Sequence, residues 1–114
     1  MAVRVFIKRH FKQGQAGQAL RMLSEFRKAA MGRPGYVSGE TLVNHYDSHT
    51  VVVVSTWASV DDWIRWQNSE DRDRNEALIE EILDQPTVYE VFDFQSTPAD
   101  EPDAWRGHGR MERT

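Results

Sequence analysis

The residues best suited to chemistry fall in two neighbouring stretches. STWASVDDWIRW places Trp57, Trp63 and Trp66 within ten residues. An indole is large and apolar with a single N–H donor, so such a cluster either fills a core or walls a pocket for a flat molecule. Helical spacing puts Val60, Trp63, Ile64 and Gln67 on one face, with Trp66 about 60° round from Trp63. Trp63 and the strand-end Trp57 therefore read as core. Trp66 reads as a pocket wall or a half-buried surface residue. The next stretch, SEDRDRNEALIEEIL, predicts a helix whose buried arc is Leu78, Ile79, Ile82 and Leu83. Asn75 and then Arg72 prolong that arc toward the N-terminus. A polar pair extending an apolar face suits a pocket lip, where an amide orients a substrate and a guanidinium meets developing negative charge. The competing reading gives Asn75 a backbone partner, and pairs Arg72 with Glu70 or with an acid on the first helix.

The histidines and strand acids offer less. His45 and His49 flank the Asp47-Ser48 turn, but two imidazoles without a third ligand make no metal site. His45 is instead a candidate base at a pocket mouth, because an imidazole titrates near neutrality. His10 and His108 have no visible partners. Glu40, Glu90 and Asp93 lie in predicted strands, where a pocket-facing acid could serve as base and a solvent-facing one would not. Gly14 and Gly17 open a helix after a strand, yet neither phosphate-binding glycine pattern is present.

These residues need a scaffold, and the chain predicts one. Val3, Val5 and Ile7 alternate with Arg4, Phe6 and Lys8, which is the period of a strand. A helix follows with Ala16, Ala19, Leu20, Leu23, Phe26 and Ala30 on one arc, and GRPG ends it. Tyr36 to Tyr46 predicts a second strand, weakened by Gly39, and Asp47-Ser48 turns it into the third, TVVVVSTW. Ser59 and Ser69 are good N-caps for two consecutive helices, the second reaching Leu83. TVYEVFDF closes the set as a fourth strand.

The order β-α-β-β-α-α-β is the α+β ferredoxin-like pattern, with an antiparallel four-stranded sheet and the helices on one face. Strand three is apolar on both faces, and Phe6, Phe92 and Phe94 fall on the face away from the helices. That face needs a cover, and a second copy of the chain is the expected one. Residues 96–114 are polar and carry two prolines; they predict a tail with no core of its own, anchored if at all by Trp105.

Bulk properties bound the function. The 114 residues carry 14 Lys plus Arg against 18 Asp plus Glu, a net charge of −4. That balance argues against nucleic acid or an anionic membrane as partner. The chain has no cysteine, which excludes disulfides and thiol chemistry. No secretory leader or spanning apolar run is expected, so a cytoplasmic protein is.

From Gly35-Tyr36 through VVVSTWASVDDWIRW and NSEDR to PTVYEVFDF, the chain resembles the antibiotic biosynthesis monooxygenase (ABM) family of dimeric α/β barrels. The resemblance covers residues 1–95 and not the tail. It implies a homodimer whose two sheets pack face to face, with a pocket in each subunit between sheet and helices. It also implies, as the leading activity, cofactor-independent oxygenation of a small aromatic or quinol-type molecule, without metal or flavin. On that reading Trp66, Trp63 and Tyr36 line the pocket, Asn75 and Arg72 act on the substrate, and His45 is the candidate base. The alternative is a non-catalytic dimer that binds a ligand or another protein. Haem-degrading relatives use a strand Asn, a Trp and a helix His. Here Trp66 matches, but Ile7 and Glu76 occupy the other two positions, which removes the axial ligand haem iron needs.

Overall fold

The computed structural model describes residues 1–95, so the segment 96–114 and the expectation placed on Trp105 lie outside the described residues. The elements are β1 (Val3–His10), α1 (Ala16–Met31), β2 (Tyr36–Val43), β3 (Thr50–Trp57), α2 (Val60–Gln67), α3 (Glu70–Glu80) and β4 (Val88–Asp93). They form one antiparallel sheet in the order β2-β3-β1-β4. No described helix is long and apolar enough to cross a membrane.

Register assigns the faces. In β1, Val3, Val5, Ile7 and Arg9 pair with Trp57, Ser55, Val53 and Val51 of β3, and all point toward the helices. Alternation sends Arg4, Phe6 and Lys8 to the opposite face, beside Thr56, Val54 and Val52. The helix side holds two packed groups. One gathers Val3, Val5, Ile7, Ala30, Trp57, Trp63 and Trp66; the other gathers Phe11, Ala19, Leu23, Val51 and Ile79. Val53 packs against both and joins them.

Local chemistry fixes the element ends that matter for the site. Ser59 Oγ accepts from the Asp62 N–H at 3.2 Å and Ser69 Oγ from the Arg72 N–H at 3.2 Å, so both caps form as predicted. Ser69 Oγ also donates to the Trp66 carbonyl at 2.8 Å, which ties the end of α2 to the start of α3. Gly35 has φ 86° and lies so close to α2 that an added Cβ would stand 2.2 Å from the Asp62 carboxyl. Only glycine fits that turn. Its carbonyl accepts from the Ala58 N–H at 2.7 Å, joining the start of β2 to the end of β3.

Several expectations shift. β2 stops at Val43 rather than Tyr46, because Asn44 Oδ1 accepts from the Tyr46 and Asp47 N–H groups and turns the chain early. β2 continues through Gly39, where an added Cβ would meet the Tyr36 hydroxyl at 2.4 Å, so the glycine leaves space for that ring. On α2 the buried seam is Trp63 with Trp66, while Val60 and Ile64 are exposed. α3 ends at Glu80, before Leu83, and Leu78 is exposed. Ile82 and Leu83 still reach the core from the following turn, where Leu83 bridges to Phe11.

Candidate functional site

Between the helix face of the sheet and the helices lies a cavity of about 60 Å³. Its apolar side is built from Trp57, Trp63 and Trp66 with Ile7, Val53 and Tyr36. The aromatic rings are locked against one another. Tyr36 stands edge-on to Trp57 at 5.3 Å, and Trp57 and Trp63 are tilted at 6.0 Å. The Trp57 indole N–H donates to Ser55 Oγ at 3.1 Å. Trp66 is 6% exposed, and the Arg33 guanidinium lies 5.0 Å from its ring centroid, held by Asp71 at 2.8 Å. Trp66 is therefore both core and cavity wall.

The polar side comes from α3 and from the strands below it: Arg72, Asn75 and Glu76 face Arg9 of β1. Arg9 Nη2 donates to Glu76 Oε2 at 2.6 Å. Arg72 Nη2 donates to the Tyr89 hydroxyl at 2.8 Å, and that hydroxyl donates to Glu76 Oε1 at 3.3 Å. Arg72 also lies 3.6 Å from Glu76 and stacks near the rings of Trp63 and Tyr89, at 5.3 and 5.2 Å. Both guanidiniums are buried. Burial lowers the Arg9 pKa from its ordinary value, and the Glu76 charge pulls it back. An arginine starting so high stays charged at neutral pH.

The structure thus brings together Trp63, Trp66, Tyr36, Arg72 and Asn75, all anticipated, on one cavity. It does not bring His45 to them. His45 sits exposed on the β2–β3 connection, edge-on to the Tyr46 ring at 4.8 Å. Arg72 does not pair with Glu70 as the competing reading had it; its partners are Tyr89 and Glu76. Sequence reasoning missed Arg9, Glu76 and Tyr89. Arg9 shares strand parity with Val3, Val5 and Ile7, and that parity was the available signal.

His10 also gains partners that the sequence did not reveal. Its Nδ1 lies 2.6 Å from Asp84 and its Nε2 3.2 Å from Asp47, at the far end of β1. The hydrogen bond to Asp84 chiefly raises its pKa. Among the described residues no group of three or more His, Asp or Glu side chains is placed to hold a metal ion.

The family model "antibiotic biosynthesis monooxygenase" matches residues 2–78. The chain belongs to the antibiotic biosynthesis monooxygenase family. Solved structures agree on the ABM fold. A conserved protein from Methanosarcina mazei superposes with TM-score 0.78 at 14% identity, over 83% of this chain and 94% of that one. A structure described as an antibiotic biosynthesis monooxygenase superposes with TM-score 0.75 at 16% identity, covering 82% and 99%. SnoaB, a cofactor-independent oxygenase from Streptomyces nogalater solved as a mutant, gives TM-score 0.72 at 14% identity over 83% and 95%. No curated protein sequence matches. Identities this low carry the ABM fold and nothing finer.

Proposed function

We propose that this protein is a cofactor-independent monooxygenase acting on a small aromatic or quinol-type molecule in the cavity between sheet and helices. The observation that carries the reading is the cavity's two-sided character. Three indoles and a phenol ring offer flat apolar walls, and Arg72, Asn75, Glu76 and Arg9 offer one polar wall. Such a substrate, once deprotonated, is electron-rich enough to pass an electron to O₂ by itself. Recombination at carbon gives a hydroperoxide, and loss of water leaves the new carbonyl, so no external reductant is consumed. A ring needs more than the cavity's volume of about 60 Å³, so binding moves bordering side chains; the protein's part is then to bind the ring, exclude water, and hold the anionic oxygen. Trp63, Trp66 and Tyr36 grip the ring, Asn75 orients it, and Arg72 faces the developing charge. His45 has no part in this reading, because it lies away from the cavity.

We further read the working unit as a homodimer. The sheet face opposite the helices leaves Leu42 54% and Phe92 51% exposed, next to Phe6 and Val54. A second copy placed sheet to sheet buries this apolar surface.

The test is oxygen consumption by the metal-free, flavin-free protein with a panel of quinols and anthrone-like compounds. Uptake that falls in Asn75→Ala more through kcat than through KM supports the assignment. One observation favours a second reading, a ligand-binding dimer without catalysis: the wall carboxylate, Glu76, is already engaged by two arginines and a tyrosine. Tight binding of panel members with no oxygen uptake would establish that reading instead.

A further inference from the structure

Arg9 is 4% exposed and has one side-chain hydrogen bond, from Nη2 to Glu76. Its Nε–H is buried with no acceptor, the one such side-chain atom among the described residues. A guanidinium offers five N–H donors, and a buried one left short of acceptors is costly. The charges around the cavity point the same way. Its buried wall holds two guanidiniums, Arg9 and Arg72, against the single carboxylate of Glu76. Arg27 and Glu40 also border the cavity, but both are exposed, so solvent screens their charges. Glu40 pairs with Val54, so its side chain leaves by the opposite sheet face. The interior therefore carries one uncompensated positive charge beside a donor with nothing to bond.

We propose that Arg9 is the anion-recognition residue of this cavity: its free Nε–H receives an anionic oxygen of the ligand, a carboxylate or a phenolate on a planar ring. Arg72 supplies the second positive charge. Two consequences follow. The site prefers an anion over its neutral isostere. It also favours the ionised form of a phenol, because a nearby positive charge stabilises the anion. The arginine wall lowers the phenol's pKa so that its proton passes to solvent water, and no free carboxylate is required; Glu76, the carboxylate beside the guanidiniums, is already engaged. This inference rests on the reading that the cavity is the ligand site, and the probes below separate the two.

Calorimetric titration with benzoate and with benzamide compares an anion with a neutral molecule of the same shape. A second titration uses 4-nitrophenol, whose ionised form is visible by absorbance. The proposal expects benzoate to bind at least tenfold tighter than benzamide. It also expects bound 4-nitrophenol to ionise at lower pH than in water. In Arg9→Met the benzoate preference should shrink to less than threefold while benzamide binding holds. If Arg9→Met does not fold, Arg9→Gln, whose amide can still donate to Glu76 while carrying no charge, has the same expectation. Preference for benzoate alone assigns a carboxylate ligand, and a nitrophenol shift alone assigns a phenolate. Equal binding of benzoate and benzamide with unshifted nitrophenol overturns the anion proposal and leaves the cavity as a ligand site. So does a preference that survives loss of Arg9. Failure of every probe to bind overturns both.

Discussion

Removing Glu76 should unfold this protein more readily than any surface acid would, and the size of the effect follows from its contacts. Its carboxylate takes a 2.6 Å bond from Arg9, a 3.3 Å bond from Tyr89, and lies 3.6 Å from Arg72. Side-chain exposure is 3% for Arg9, 8% for Arg72 and 15% for Glu76. Deleting one partner of a buried pair typically costs about 3–5 kcal/mol, because the remaining charge stays buried. Glu76 keeps some contact with water, which lowers the expected cost of Glu76→Ala to roughly 2–4 kcal/mol. In a domain of this size that is a melting-temperature drop on the order of 10 °C or more. The assay is urea unfolding followed by tryptophan fluorescence, with the slope checked for constancy so that a midpoint shift reports stability. A double change, Arg9→Met with Glu76→Leu, removes that ion pair together, leaves Arg72 on the Tyr89 hydroxyl, and should recover stability to within about 1.5 kcal/mol of the parent. A Glu76→Ala cost below about 0.5 kcal/mol, the size of an ordinary surface change, would refute the account of a buried and mutually dependent cluster. The same chemistry has a binding side. Glu76→Gln leaves both guanidiniums facing the cavity without their carboxylate, so benzoate should bind more tightly to it than to the parent.

Other expectations are more local. Trp66→Ala should cost about 3–5 kcal/mol and also weaken ring binding, since the indole is both core and wall; thermal melts and calorimetry separate the two losses. Gly35→Ala combines a φ of 86° with a clash on Asp62, and should lower stability by about 2 kcal/mol or more in the same unfolding assay. The His10 pKa is raised in the folded state, so His10 contributes stability that is fully present below its unfolded value of 6.5 and is lost as pH rises through the folded value. Melts across that window should show the loss, and Asp84→Asn, which removes the chief cause, should flatten it. Phe92→Glu with Leu42→Lys should shift light-scattering mass from dimer to monomer at micromolar concentration; an unchanged dimer would place the interface elsewhere.

What the sequence disclosed tracks how locally each feature is determined. Alternation along β1 and the serine caps of α2 and α3 depend on neighbours within a few residues, and all were legible. The buried seam of α2 was not. Eight residues span barely two turns, and two tryptophans outweigh Val60 and Ile64 in the area they hide, so the helix rolls to bury Trp63 with Trp66. The length of α3 was misjudged because apolar residues continue past Glu80. Ile82 and Leu83 meet the core from a turn, which periodicity cannot distinguish from one more helical turn.

The candidate site divides along the same line. Trp57 and Trp63 read as core and Tyr36 entered only through the family resemblance, whereas the site's Trp66 and Arg72–Asn75 edge could be read from helical spacing. Its charged core could not. Arg9 and Glu76 are separated by 67 residues, and Tyr89 joins them from a third element. Parity with Val3, Val5 and Ile7 sets Arg9 under α3 while Arg4 and Lys8 face away, but nothing local names the partner it meets there. An inward charge on a strand is tolerated only where tertiary structure supplies a partner. Here that partner satisfies one of the donors and leaves another free. The sequence feature that looked most ordinary, a basic residue near a strand end, therefore defines what the cavity accepts. The more conspicuous histidine on the hairpin lies outside it.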